Sequence, residues 1–327
     1  MRPFTYLEPT DISEATTLLR DLGAEACLIA GGSDLLGELK DDLLRVGALV
    51  SLARIERLRE IGQEADGLRL GAMVTLHGME KAPQLTGPLS LLAEAARGVA
   101  TPEIRNQSTL GGNLCQHSRC LHYRSPWIAC FKKGGTDCPA RESEQQDYLS
   151  VMGGHECFSA HPSDLAPPLL ALDAIAVVVG HGGERRLPLS AFFAPLEGHD
   201  QGDNGLEQGE ILAAVIVPPL AADWRGTYLK ARERTAGDFA LVGVAFGCRL
   251  VQGQMRDVRL ALTGVATAPK RFLEAEAVLE GQNPSAEIVA QAAEVVFAPA
   301  TPLPHNGFKV ALGQALVVRI IQQVTAD

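Results

Sequence analysis

The hydrophobic pattern divides the chain into regular stretches at both ends and an irregular one between them. Residues 11–22, DISEATTLLRDL, place Ala15, Leu18, Leu19 and Leu22 on one helical face, and Asp11 or Ser13 is suited to cap its start. A short apolar run at 26–30 closes on Gly31-Gly32-Ser33-Asp34, and a new helical pattern begins at Leu35. The unit reads as strand, glycine turn, helix. Strands are predicted at 48–52 and 68–72, and a helix at 88–99. From 107 to about 163 neither period is sustained, and a structureless loop of that length in a compact domain is usually functional. Patterning resumes with a helix at 165–172 and a strand at 174–179. Residues 198–209, GHDQGDNGLEQG, form a polar, glycine-rich loop that marks a boundary or an exposed hairpin. The last third predicts strands at 210–217, 226–231, 239–250 and 257–265, then helices at 269–279, 285–296 and 306–325, and so reads as a second domain.

Composition narrows the class. A chain of 327 residues has room for about two domains. With 46% apolar and 21% charged residues it reads as soluble and globular. A net charge of −10 argues against a nucleic-acid partner, which needs clustered Lys and Arg. No targeting segment is visible, and the longest apolar runs, such as 174–179, fall far short of the roughly 18 residues of a membrane span. The expected location is the cytoplasm, or the periplasm if a signal-bearing partner carries the chain across.

Five of the seven cysteines fall in the irregular stretch, spaced Cys115-x4-Cys120-x9-Cys130-x7-Cys138-x18-Cys157. Clustered thiols in a reducing compartment suggest a metal or redox centre. The spacing is not a repeated C-x2-C, so a zinc ribbon is disfavoured, but four thiolates suit an iron–sulfur cluster or a structural zinc alike. His117, His122, His155 and His161 lie among them and keep a mixed Cys/His zinc site open, and reduced buried cysteines or disulfides are the plainer alternatives. His161, before Pro-Ser-Asp, reads as structural. Cys27 and Cys248 sit in apolar strands and read as packing thiols. The turns at Gly31-Gly32 and Gly111-Gly112 expose backbone N–H groups with a helix start behind them, an arrangement suited to a pyrophosphate. Neither is a Rossmann or P-loop motif, and either pair taken alone reads first as a plain tight turn. No G-x-S-x-G or Ser-His-Asp signature is present.

Four motifs in order, IAGGSDLL, RNQSTLGGNL, HPSDLAPPLLALDA and YLKARERTAGDFALVGVA, resemble the flavin-binding subunit of the xanthine dehydrogenase family of molybdenum hydroxylases, essentially end to end. The resemblance implies an α+β fold: an FAD-binding domain of the vanillyl-alcohol-oxidase (PCMH) type, then a C-terminal α/β flavoprotein domain of the CO dehydrogenase type. The first would span 1–195, with two α/β subdomains at about 1–55 and 56–195 and an Fe–S loop at about 114–160; the second would span 205–327. By position, Ala30, Gly31, Gly32, Ser33, Asp34 and Leu35, entered from Ile29, would hold the FAD pyrophosphate. Thr109, Gly111, Gly112 and Asn113 would form the second cofactor turn. Ser163 and Asp164 would approach the nucleotide or flavin, and Lys230 would reach the isoalloxazine edge. Ser33-Asp34 stands where relatives often carry an Asn-Thr or Thr-Asn pair, so the Asp34 carboxylate is not expected to touch phosphate.

The cysteine insertion resembles the minority of the family with an extra [4Fe-4S] cluster: 4-hydroxybenzoyl-CoA reductase medium subunits and the FAD subunit of three-subunit bacterial aldehyde oxidoreductases. The pattern RC-x9-C, then C-x18-C before HPSD, is nearer the second. Cys120, Cys130, Cys138 and Cys157 would be the ligands and Cys115 a packing residue. Lys132 and Lys133 would raise the cluster's potential and Glu156 lower it. The implied role is an electron-transfer subunit, with no catalytic base or nucleophile of its own. It would take electrons from a large molybdenum-cofactor subunit and a small [2Fe-2S] subunit and hand them to an external acceptor. A 4-hydroxybenzoyl-CoA reductase-like subunit, a self-contained FAD oxidoreductase and a zinc-stapled scaffold are the alternatives.

Overall fold

The computed structural model describes residues 1–153, 156–193 and 203–326. The first unit is a small parallel sheet: β1 (Thr5–Leu7), α1 (Ile12–Leu22), β2 (Ala26–Ile29), α2 (Leu35–Lys40) and β3 (Ala48–Ser51), in strand order β1-β3-β2. Helix α1 is capped by Asp11, whose carboxylate accepts from the Glu14 N–H at 2.8 Å. Its Ala15 and Leu19 bury against Val50 and Leu52. The glycine turn leaves the end of β2 and leads into α2, at the mouth of the sheet where βα turns gather binding groups.

The second unit is an antiparallel five-stranded sheet backed by short helices. β4 (Ile61–Glu64) and β5 (Gly67–Gly71) form a hairpin. α3 (Leu76–Lys81), α4 (Ser90–Gly98), α5 (Pro102–Gln107), α6 (Leu110–Leu114), α7 (Leu121–Arg124) and α8 (Ala166–Ala171) follow. β6 (Ile175–Gly180), β7 (Gly183–Pro188), α9 (Leu189–Phe192) and β8 (Ile211–Val217) complete it, in order β4-β5-β8-β6-β7. Every residue of β8, ILAAVIV, is buried, as a central strand covered on both faces requires. The hydrophobic pattern placed this strand in the second domain. The structure pairs it with β5 (Leu68 with Val217) and β6 (Ile175 with Ile216). Of the polar loop expected at 198–209, residues 198–202 lie outside the described residues.

The third unit is an antiparallel sheet of β9 (Arg225–Ala231), β10 (Val242–Val251), β11 (Gln254–Thr263) and the short β12 (Lys270–Arg271), in order β12-β11-β10-β9. α10 (Leu273–Leu279), α11 (Ala286–Phe297) and α12 (Phe308–Thr325) cover one face, with Val317, Ile320 and Ile321 packed on Val244 and Phe246. β10 starts three residues later than its apolar run suggests, because 232–241 turn back and Gly237 N–H reaches the Ala100 carbonyl at 3.3 Å.

The irregular stretch has only a small core, Cys138, Ala140 and Leu149 with Phe158 and Leu303 against them, and is otherwise held by side chains. Gln146 donates to the Ala140 and Arg141 carbonyls and accepts from the His305 N–H. Asn306 donates to Ser150 O, and Lys309 Nζ to Leu149 O and Gly264 O at 2.7 and 2.6 Å. All three side chains are fully buried. The start of α12 therefore buttresses the segment that carries Cys138 and Cys157.

Candidate functional site: two glycine turns and a cysteine loop

The two glycine turns, some 75 residues apart in sequence, meet face to face. Ser33 Oγ and Ser108 Oγ are 2.8 Å apart. A Cβ on Gly31 would lie 1.9 Å from the Gln107 carbonyl oxygen, so only glycine permits this approach. Gly32 has φ +73°, the left-handed region. On the other turn Gly111 donates to Ala72 O at 2.8 Å, and a Cβ there would sit 2.8 Å from the Ala72 Cβ. The Thr109 hydroxyl accepts from Gly112 N–H at 3.1 Å and caps α6. Between the turns lies a cavity of about 220 Å³, lined by Ala30 through Leu35, Thr109, Gly111 and Gly112. A Cβ on Gly112 would come 4.0 Å from that of Ala30, on the cavity's opposite wall. Ile29 is not part of that wall: its side chain packs with Leu39 and Leu49. The helices behind the turns are only six and five residues long, so the expected helix-start field is weak and the exposed N–H groups matter more.

The Asp34 carboxylate is committed to the cysteine loop. It pairs with Arg119 at 2.6 Å and Arg124 at 2.8 Å, and accepts the His117 N–H at 2.9 Å. Buried Glu38 is held by Arg124 at 3.2 Å, by the His117 ring at 2.9 Å and by the Tyr123 hydroxyl at 3.2 Å. Burial pulls His117 down, but the hydrogen bond and charge of Glu38 outweigh it and leave its pKa raised. Ligand atoms of Asp34, Glu38 and His117 lie within 4.8 Å of one another, a spacing a cation could use. Two guanidinium groups already supply that positive charge.

A second network lies on the far side of α6. Ser163 Oγ donates to Asn113 Oδ1 at 2.6 Å and accepts from Ala166 N–H, which starts α8. Asp164 takes the Tyr228 hydroxyl at 2.6 Å and the Lys230 ammonium at 2.7 Å, all three nearly inaccessible. Lys230 also reaches Gly98 O at 3.4 Å, so its charge is spent inside the protein. Asp164 and Asn113 line a small cavity of about 30 Å³ with Pro162 and Phe239. Gln116 lines both cavities and makes them neighbours across one turn. His161 is buried edge-on against Phe193 at 5.0 Å and held neutral, its pKa pushed down to about 4 by burial.

The four cysteines expected as ligands share the loop and interact in pairs, but no three of their sulfur atoms lie within 4.8 Å of one another. Cys130 and Cys138 are buried and Cys120 and Cys157 half-buried. Cys120 packs beside Cys138, and its pKa is lifted by burial and by the charges of Cys157 and Cys130. Cys157 donates to Ser159 Oγ at 3.2 Å and accepts the Ser159 N–H at 3.4 Å, and the neighbouring Cys138 thiol helps hold its pKa down while its own is lifted. Cys115 lies elsewhere: it lines the glycine-turn cavity, with burial pushing its thiol up to about 12. Cys27 lines the same cavity, while Cys248 is fully buried. Of the histidines, His117 is engaged by Glu38, His122 Nδ1 lies 3.7 Å from Cys120 Sγ, and His155 lies outside the described residues. Of the charges expected beside Cys130 and Cys157, only that of Lys132 meets a counter-charge among the described residues. Lys132 pairs with Asp203, Lys133 donates to the His122 and Ser125 carbonyls, and Glu156 is solvent-exposed.

Residues 2–220 match the family model of the FAD binding domain in molybdopterin dehydrogenase. The chain belongs to that family. Residues 227–324 match the CO dehydrogenase flavoprotein C-terminal domain. The aldehyde oxidoreductase FAD-binding subunit PaoB of Escherichia coli K12 is 30% identical over the whole of both chains. The carbon monoxide dehydrogenase medium chain of Hydrogenophaga pseudoflava is 28% identical over 99% of this chain and 97% of its own. Among solved structures, carbon monoxide dehydrogenase from Hydrogenophaga pseudoflava superposes with a TM-score of 0.79 at 28% identity over 99% of this chain and 98% of that one. Quinoline 2-oxidoreductase from Pseudomonas putida 86 gives 0.77 at 25% identity over 99% and 97%.

This FAD-binding subunit is thus an α+β flavoprotein of an oxidoreductase family, and among its described residues no helix is long and apolar enough to cross a membrane. The geometry fits the flavin nucleotide: two backbone-lined turns face a cavity where a Cβ at Gly31 would strike the opposite turn. Sequence reasoning missed Glu38, Arg119, Arg124 and Tyr228, and offered His117 only as a possible zinc ligand, where the structure sets it on Glu38. The arginines flank Cys120 in sequence, but their partner lies up to 90 residues away and left no local signal.

Proposed function

We propose that this chain is the flavin- and [4Fe-4S]-carrying electron-transfer subunit of a molybdenum-cofactor aldehyde oxidoreductase. A large molybdenum subunit and a small [2Fe-2S] subunit would deliver electrons and an external acceptor would remove them. Bound FAD supplies two-electron storage with release singly or in pairs, and an iron–sulfur cluster supplies one-electron passage. The rest is done by the chain's own residues. Ala30 through Leu35 and Thr109 through Asn113 would bind the nucleotide through backbone N–H groups. Ser163 orients Asn113, and Lys230 holds Asp164 at the small cavity. Cys120, Cys130, Cys138 and Cys157 would be the cluster's ligands. A division after β8, near residue 220, follows from the strand pairing.

The observation that supports the reading is a loop in which Cys138 neighbours Cys157 and Cys120 feels the charges of Cys130 and Cys157, one residue from an arginine that grips the first glycine turn. The PaoB likeness over the full chain favours the aldehyde class. The test is metal and flavin content of anaerobically purified protein. We expect about one FAD and about four irons per chain. Cys120→Ser should lose the iron, while Cys115→Ser keeps it. Zinc in place of iron, or iron retained in Cys120→Ser, would remove the cluster from the account.

A further inference from the structure

We infer that Arg119 and Arg124 of the cysteine loop are the charge-neutralising part of the dinucleotide site, so that the loop belongs to that site. The inference rests on the flavin and cluster assignment above. Asp34 and Glu38 both line the larger cavity, and an FAD pyrophosphate brings further negative charge to the same wall. Like charges in a partly enclosed site disfavour one another strongly. Neither short helix behind the turns offers a compensating dipole.

Compensation comes from residues 117–124. Arg124 reaches both carboxylates, Asp34 at 2.8 Å and Glu38 at 3.2 Å, while its Nε is fixed on Ser118 O at 2.8 Å. Arg119 reaches Asp34 at 2.6 Å, holds Gln116 Oε1 at 3.2 Å and stacks 4.9 Å over the Phe239 ring. Both guanidinium groups are thereby oriented by partners other than the carboxylates. Their backbone is set by the loop: Arg119 adjoins Cys120, and Arg124 ends the single helical turn that Cys120 begins. Anchoring Cys120 in a metal centre would add a further hold on the backbone that carries the two cations.

The test is FAD affinity of the full chain, read by quenching of flavin fluorescence, with secondary structure checked by circular dichroism. Arg119→Gln/Arg124→Gln should weaken FAD at least tenfold. Adding Asp34→Asn to that double variant should restore most of the loss, because the uncompensated carboxylate is then gone. Cys120→Ser should weaken FAD in the same direction. Unchanged affinity in the double arginine variant, or no rescue by Asp34→Asn, overturns the inference while leaving the flavin assignment standing. A wild-type chain that takes up no FAD overturns both. Wild-type affinity in Cys120→Ser overturns the link to the cysteine loop.

Discussion

A single methyl group is enough to test the glycine turns. At Gly31 a Cβ meets backbone of the neighbouring turn at 1.9 Å, and no flexible side chain stands there to yield. Gly31→Ala should force the turns apart, destabilise the protein by ~1–3 kcal/mol and abolish FAD uptake. Gly37→Ala is the control. That glycine lies inside α2 with open space around its Cβ position, so alanine there should stabilise by about 0.5–1 kcal/mol and leave flavin binding alone. Thermal unfolding and flavin content of the two variants decide the matter. Both glycine pairs were legible in the sequence as turns, and the ordered motifs around them pointed to a flavin. What Asp34 does was not legible, because its partners Arg119 and Arg124 are brought to it only by the fold.

Elements with a buried apolar stripe declared themselves, and those without one did not. α1, β3 and β8 follow their periodicity to within a residue or two. β7, GERRLP, is mostly exposed and carries no alternation, so only its pairing with β6 reveals it. α3 and α5, six residues each, are too short to show a period. The cysteine loop is held by α12, and Lys309 is the clearest joint: a lysine with no exposure whose Nζ donates to two backbone carbonyls. Burial lowers its pKa from 10.5 to about 7. Between those values the unfolded chain binds a proton that the folded chain does not, so stability should rise with pH across that window. Lys309→Met should flatten the rise by about 1 kcal/mol per pH unit, measured as chemical denaturation at pH 7.5 and 9. Parallel pH profiles for the two proteins would show that Lys309 stays charged.

Across the whole molecule, the two matched families are tied by many contacts, and one of them reaches the small cavity. Asp164, from the FAD-binding part, is held by Tyr228 and Lys230 of the C-terminal part, and the same aspartate lines the small cavity beside Asn113. The sequence assigned Lys230 to the flavin edge through the resemblance; the fold spends its charge on Asp164, because a buried carboxylate needs a partner. The larger cavity and the cysteine loop are joined by residues 116–124, of which Gln116 and His117 line the cavity and Cys120 lies in the loop. Electron storage at two centres in one chain is the central claim, and counting electrons tests it most directly. An anaerobic stepwise titration of the purified chain with dithionite should consume about three electrons per chain, two at the flavin and one at the cluster, with absorbance near ~400 nm bleaching alongside the flavin bands. Consumption of about two, with the flavin bands alone responding, would contradict the account.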